Sequence, residues 1–194
     1  ELAAWLRLVE TPGIGRETAR RLLREFGSAE GVAAASVASL RRFIGEAPAA
    51  ALANGSDRIA ALLEKTVAWL EAPAGEARDV LVLGDARYPQ ALLQTADPPL
   101  LLYVRGATGP LDAPAIAIVG SRHATPGGLD NARAFAAHLS RAGLVVVSGL
   151  ALGIDGAAHE GALDGADAGG GGTIAVVGTG LDRVYPKRHH ALAH

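Results

Sequence analysis

Gly120-Ser121-Arg122 runs into His123, Ala124, Thr125 and Pro126. An arginine behind a glycine and a serine offers a planar fork to a phosphate, beside a hydroxyl and a backbone that a ligand can approach closely. Thr125 as N-cap and Pro126 at the first helical position start a helix whose free amides also favour an anion. The plain alternative is a solvated arginine on an ordinary strand–helix turn. A second stretch, Ser148-Gly149-Leu150-Ala151-Leu152-Gly153-Ile154-Asp155, supplies backbone donors and a second helix start, with Asp155 expected as its N-cap. Asp155 and His159 share a helix face, but with no nucleophile or metal partner the pair reads as structural, and no catalytic residue is expected. The third stretch, Gly178-Thr179-Gly180-Leu181-Asp182, continues into Tyr185-Pro186-Lys187-Arg188-His189-His190. Lys187 is expected as a second phosphate contact with Arg188 beside it, and Tyr185 is placed to stack or pack. Adjacent histidines without carboxylate or thiolate partners do not make a metal site, so none is expected.

A dinucleotide site is excluded on two counts. Arg183 stands where G-x-G-x-x-G needs its third glycine, and the strand ending at Ser148 carries no acid for a ribose hydroxyl. No G-x-x-x-x-G-K-[ST] occurs, so no cofactor is expected. Without cysteine there is neither a disulfide framework nor a thiolate metal site. No apolar run approaches the ~20 residues of a membrane span, and no signal-peptide pattern opens the chain, so a cytoplasmic protein with no membrane partner is expected. A net charge of −2 argues against coating nucleic acid by bulk positive charge. Residues 1–72 hold nine basic and nine acidic side chains, and residues 73–194 nine and eleven, so binding must come from local placement.

These stretches need elements to hold them. Residues 1–72 read as all helical, with turns at Thr11–Gly15 and Gly27, Ser36 capping a helix over 37–44 that Gly45 closes, and Ser56 capping a last helix. Pro12-Gly13-Ile14-Gly15 with Ala19 and Leu22 repeats thirty residues later as Arg42-Phe43-Ile44-Gly45 with Ala49 and Leu52. Helix, tight glycine turn, helix resembles the helix-hairpin-helix module, in which amides such as those at Gly13 and Gly15 hold a DNA phosphate as a secondary contact. Alternatively, the glycines only let helices pack, or the region binds a protein. Residues 73–78 read as a linker, and 79–194 as an α/β domain. Apolar runs at 80–83, 100–104, 115–119, 144–148 and 173–177 predict strands, with helices over 127–142 and 155–165. The fold class is α/β: a Rossmann-like parallel sheet with helices on both faces, preceded by a small all-helical SAM-like or helix-hairpin-helix domain. In such a sheet the three stretches emerge at one edge, at the carboxyl ends of the strands.

At these residues the chain resembles the DNA processing protein A (DprA/Smf) family. Gly120-Ser121-Arg122, Ser148 through His159, and Gly178 through Asp182 with Tyr185-Pro186 follow its motif order. Tyr88-Pro89-Gln90-Ala91-Leu92 with Asp97-Pro98-Pro99 and Gly106 is similar to its upstream segment. The resemblance implies a non-catalytic, cytoplasmic protein that binds and protects single-stranded DNA, loads the RecA recombinase during natural transformation, and forms a homodimer at full length. It implies DNA contacts at Gly120, Ser121, Arg122, Ser148, Gly149, Gly153, Gly178, Thr179, Gly180, Lys187 and Arg188. Many members read Tyr-Pro-basic-Glu-Asn, where this chain has Arg188-His189, and residues 167–172 look like a small glycine-rich insertion. With Glu1 first and no methionine, the chain reads as trimmed. The segments the family uses for dimerisation and RecA contact are expected to lie beyond His194. A nucleotide phosphoribohydrolase of the LOG type on a related fold is the alternative, though its P-G-G-x-G-T-x-x-E pattern lacks its glutamate here.

Overall fold

The computed structural model describes residues 1–73 and 75–194; Ala74, in the expected linker, lies outside the described residues. The apolar periodicity of the first 72 residues resolves into α1 (Leu2–Glu10), α2 (Arg16–Phe26), α3 (Ala29–Ala34), α4 (Val37–Leu40), α5 (Glu46–Asn54) and α6 (Asp57–Glu71). Leu8, Leu22, Val32, Leu40 and Leu52 are wholly buried in one aliphatic core. The thirty-residue repeat is structural: Ile14 and Ile44, Ala19 and Ala49, Leu22 and Leu52 take matching buried places. Gly13 turns the first hairpin at φ +83, and an added Cβ there would lie 2.9 Å from Pro48 Cγ of the second. Ser36 and Ser56 accept hydrogen bonds from the amides of Ser39 and Ile59, as N-caps should. The helix over 37–44 is shorter than expected. After Leu40 the backbone tightens into Arg42-to-Ser39 and Phe43-to-Leu40 bonds, and Gly45 caps α5 instead of closing α4.

Strands β1 (Arg78–Val82) and β2 (Leu101–Arg105) pair antiparallel, Leu81 opposite Leu102, in a sheet of their own. A short helix α7 (Gln90–Leu93) lies between them. Val82, Leu83, Leu100 and Leu101 pack onto the helical core. The first compact unit therefore runs Glu1–Gly106, past the boundary expected at 73–78. The Tyr-Pro and Asp-Pro-Pro motifs are fasteners here. The hydroxyl of fully buried Tyr88 donates to Pro99 O at 2.7 Å, and Asp97 takes Arg16 and Arg20 at 2.6 Å each.

The second unit, Ala107–His194, holds β3 (Ala115–Ala117), α8 (Pro126–Arg141), β4 (Val145–Ser148), α9 (Ile154–Ala166) and β5 (Thr173–Ala175). The strands are parallel in the order β3-β4-β5, with Ile116, Val146 and Thr173 in register. Adjacent parallel strands joined by right-handed crossovers put both connecting helices on one side. α8 and α9 accordingly pack on each other, with Ala136, Val146, Ala158 and Ala162 as their shared core. Helices on both faces were expected, but among the described residues the helical layer covers one face. By strand alternation Val119 and Val176 point away from it, about two-thirds exposed.

The two helices approach almost backbone to backbone. At Gly161 an added Cβ would lie 2.1 Å from Arg133 O, and at Gly165 2.6 Å from Ser140 Cβ. Gly161→Ala is expected to lower unfolding free energy by about 1–3 kcal/mol through overpacking. Gly127→Ala, with nothing within 4 Å of the new methyl, should be neutral or raise it by up to about 1 kcal/mol. Urea titrations of the two variants check the contrast.

Candidate functional site

Because β3, β4 and β5 are parallel, the segments following them leave at one end of the sheet: loop one (120–125), loop two (149–153) and loop three (178–190, ending in the 3-10 turn Lys187–His189). Thr125 caps α8 by accepting from Gly128 N at 3.2 Å, with Pro126 behind it. Loops one and two are joined through backbone. The amide of Ile154 donates to Ser121 O at 3.1 Å. Gly153 sits at φ +80, where a Cβ would lie 2.1 Å from Ser121 O. Gly120, expected to admit a ligand, instead admits Ile154, whose Cγ1 would be 2.7 Å from an added Cβ. The Ser121 hydroxyl accepts from His123 N at 3.1 Å and so stiffens the turn that carries Arg122.

Loop two departs from expectation in three ways. Gly153 is the N-cap of α9, and Asp155 is the second helical residue, not the cap. From there its Oδ2 reaches back to accept the amides of Gly149 at 3.1 Å and Ala151 at 3.3 Å. The donors expected to serve a ligand thus already serve a carboxylate. Between them Leu150 adopts φ 58, a left-handed conformation unusual for a branched side chain. Ser148 is not available either, being 3% exposed with its hydroxyl donated to Ile118 O at 2.7 Å, which fastens β4 to the chain beyond β3.

What stays open is the outer part of the edge. A cleft of about 390 Å³ is lined by Arg122, His123, Gly149, Gly178, Thr179 and Tyr185, with Ala151 and Leu152 at its wall. Gly178 has nothing within 4 Å of its missing side chain. Gly180 is less open, since Asp182 Oδ1 stands 2.5 Å from its Cβ position and would oppose an anion there. Arg122 is exposed and, among the described residues, makes neither ion pair nor hydrogen bond. The same is true of the side chains of Arg183, Lys187 and Arg188. By contrast Arg133, in the same unit, is held by Glu160 and Asp130. Lys187 and Arg188 stand outside the cleft lining, on a 3-10 turn (Lys187–His189) directly after Pro186, which does line it. An arginine without a partner in a glycine-walled cleft, with Lys187 and Arg188 on the turn that follows its lining, suits a polyanion.

Two other places compete less well. A cavity of about 600 Å³ in the first unit lies among Trp5, Leu23, Val82 and Leu83, but its charges are of both signs, from Arg20 and Arg24 to Glu30 and Asp85. The hairpin turn at Gly13 and Gly15 presents the amides of α2, with Gly15 open above its α-carbon. Its nearby cations Arg16 and Arg20 are already taken by Asp97, and Glu17 occupies the first turn.

Comparison with known proteins matches residues 79–194 to the family of DNA recombination-mediator protein A, and residues 1–50 to the DprA-like N-terminal HHH domain. The chain belongs to the DNA recombination-mediator protein A family. Protein Smf of Escherichia coli K12 is 39% identical over 132 residues, 68% of this chain and 33% of that protein. DNA processing protein DprA of Streptococcus pneumoniae R6 is 44% identical over 108 residues, 56% of this chain and 36% of that one. The chain thus spans about a third of the length of these curated relatives. The X-ray structure of DprA from S. pneumoniae superposes with a TM-score of 0.74 at 30% identity, covering 96% of this chain and 61% of that one. A DprA structure from Helicobacter pylori, described for its single-stranded DNA binding mode, gives a TM-score of 0.51 at 35% identity over 59% of this chain and 49% of that one.

In this member of the family the conspicuous His159 serves the core. It is 2% exposed, its Nδ1 lies 2.7 Å from the Thr173 hydroxyl, and that hydroxyl donates to Val146 O. Nε2 is buried without a partner among the described residues. Burial pushes its pKa below the ordinary imidazole value, with Asp155 opposing and His189 reinforcing the shift. A group that is harder to protonate in the folded state binds more protons when unfolded, so stability rises with pH. The contribution is complete above the unfolded value of ~6.5 and is lost as pH falls below it. Unfolding free energy measured from pH 7.5 to 5 should therefore decline, and His159→Gln should flatten the decline.

Proposed function

We propose that this sheet edge holds the backbone phosphates of single-stranded DNA, and that the whole protein is a non-catalytic, cytoplasmic recombination mediator. In that role it protects incoming single strands and loads the RecA recombinase during natural transformation. The observation that carries the reading is the Arg122 side chain, without a partner among the described residues, in an open glycine-walled cleft, with the side chains of Lys187 and Arg188 equally without partners on the turn directly after Pro186 of its lining. The single-stranded DNA binding mode described for the H. pylori relative supports the choice of ligand. Homodimerisation and the RecA contact are assigned to the full-length protein. As sequence regions, as distinct from compact units, the division proposed is a helical region at 1–72, a linker at 73–78 and a DNA-binding region from 79 onward, whose first two strands pack with the helical unit.

Phosphates, rather than bases, should dominate the contact. Tyr185, 69% exposed at the cleft, is the one aromatic side chain lining it among the described residues, apart from the imidazole of His123. A hydrolytic alternative finds little support in the geometry, because Asp155 is committed to the amides of loop two and His159 is buried behind them.

Arg122→Ala should weaken binding of labelled oligo-dT and reduce the slope of log K against log salt by about 0.7 for each phosphate that is no longer neutralised. Fluorescence titration across a salt series reads both. Unchanged affinity and slope would remove the assignment. Incubation with AMP should release no base.

A further inference from the structure

The third loop carries most of the unpaired cations, and one side chain ties it to the second. His189 Nδ1 lies 2.9 Å from Leu150 O. A carbonyl only accepts, so the ring nitrogen must carry the proton. The acceptor is a well-anchored one. Leu150 O and Ala151 N belong to the same peptide unit, and the Ala151 amide is bound by Asp155. That single peptide is gripped at both ends, by a carboxylate on its N–H and an imidazole on its C=O. Packing gives a second, separate sign of the fit. At Gly156, in the first turn of α9, an added Cβ would stand 2.8 Å from His189 Cε1 and 3.0 Å from Nε2, so the ring lies in the space a side chain would fill.

We propose that His189 is a positioning residue, a latch that seats the third loop on the second and so determines where Lys187 and Arg188 stand. The two cations immediately precede it on the same 3-10 turn, which the His189 amide closes onto Pro186 O at 3.0 Å. Free on a mobile loop, they would lose part of their attraction to the cost of ordering the segment on each binding event. Held by the latch, they meet the strand already in place. The proposal rests on reading this edge as a single-stranded DNA site.

The substitutions separate the latch from that reading. In His189→Asn the amide nitrogen falls where Nδ1 stands, which preserves the donor. His189→Ala removes the donor. Gly156→Ala leaves His189 in the chain, improves helix propensity, and pushes the ring off its seat. His189→Ala and Gly156→Ala are each expected to weaken oligo-dT binding about two- to tenfold, the range of one net hydrogen bond, while His189→Asn binds like the parent. Nitrogen-15 NMR of the imidazoles near pH 8 should show His189 as the Nδ1–H tautomer in the parent, and this signature should be lost in Gly156→Ala.

An Nε2–H tautomer in the parent overturns the latch. So does parental affinity in His189→Ala when Arg122→Ala has lost binding. Should Arg122→Ala also keep full affinity, the DNA reading is what fails, and the tautomer alone then decides for or against the latch.

Discussion

The carboxylate of Asp155 sits where the backbone of the second loop would otherwise have no partner. Its Oδ2 accepts the amides on both sides of Leu150 and holds that residue in a left-handed conformation that its side chain disfavours. Everything outward depends on this arrangement. Leu150 presents its carbonyl to His189 in the third loop, and Gly153, at the start of α9, presses against the carbonyl of Ser121 in the first. Loops one and two are therefore joined backbone to backbone, and the third is tied to the second by one imidazole on a fixed carbonyl. The charged side chains Arg122, Lys187 and Arg188 are left facing outward with no internal duty.

The same economy of side chains explains the layer beneath. α8 and α9 meet through Ala136, Ala158, Ala162, Gly161 and Gly165, and Ser140 spends its hydroxyl on Ala162 O. Residues this small bury little area each, so the close approach of the two backbones has to supply the packing. A close-packed pair is also poorly compressible. The position of the first turn of α9 is then set by α8, and with it the places of Asp155 and Gly156.

Much of this could be read from residue types. The helices announce themselves through Leu, Ile and Val at helical spacing and through Ser36, Ser56 and Thr125 as caps, and the loops through glycine beside arginine or lysine. What could not be read is direction. Nothing in Gly149 and Ala151 says that their amides point inward to a carboxylate, and nothing in Ser148 says that its hydroxyl faces Ile118. Asp155 two residues beyond Gly153 looks like a cap because the turn is invisible until Leu150 takes positive φ. Likewise β1 and β2 look like any apolar strands. Their antiparallel pairing and their burial against the helical core are tertiary outcomes, which carry the first compact unit on to Gly106. His189 was the hardest to see, since its role depends on a carbonyl thirty-nine residues away.

Charge placement resolves an apparent contradiction between a net charge of −2 and the polyanionic ligand proposed. At physiological salt, exposed charges are screened over ~8 Å, so a phosphate at the cleft responds to its immediate neighbours and hardly to the total. In the second unit Asp130 and Glu160 are offset by Arg133. Asp155 is buried, its carboxylate offset in part by the two amides it accepts. Asp182, beside Gly180, is the acid left close to the opening. It limits where along the third loop a phosphate can approach, leaving Gly178 and Thr179 as the more open stretch. The edge is thus selective by placement: Asp155 is taken up by amides, Asp182 bounds the approach, and the cations near the cleft are few enough that each one counts.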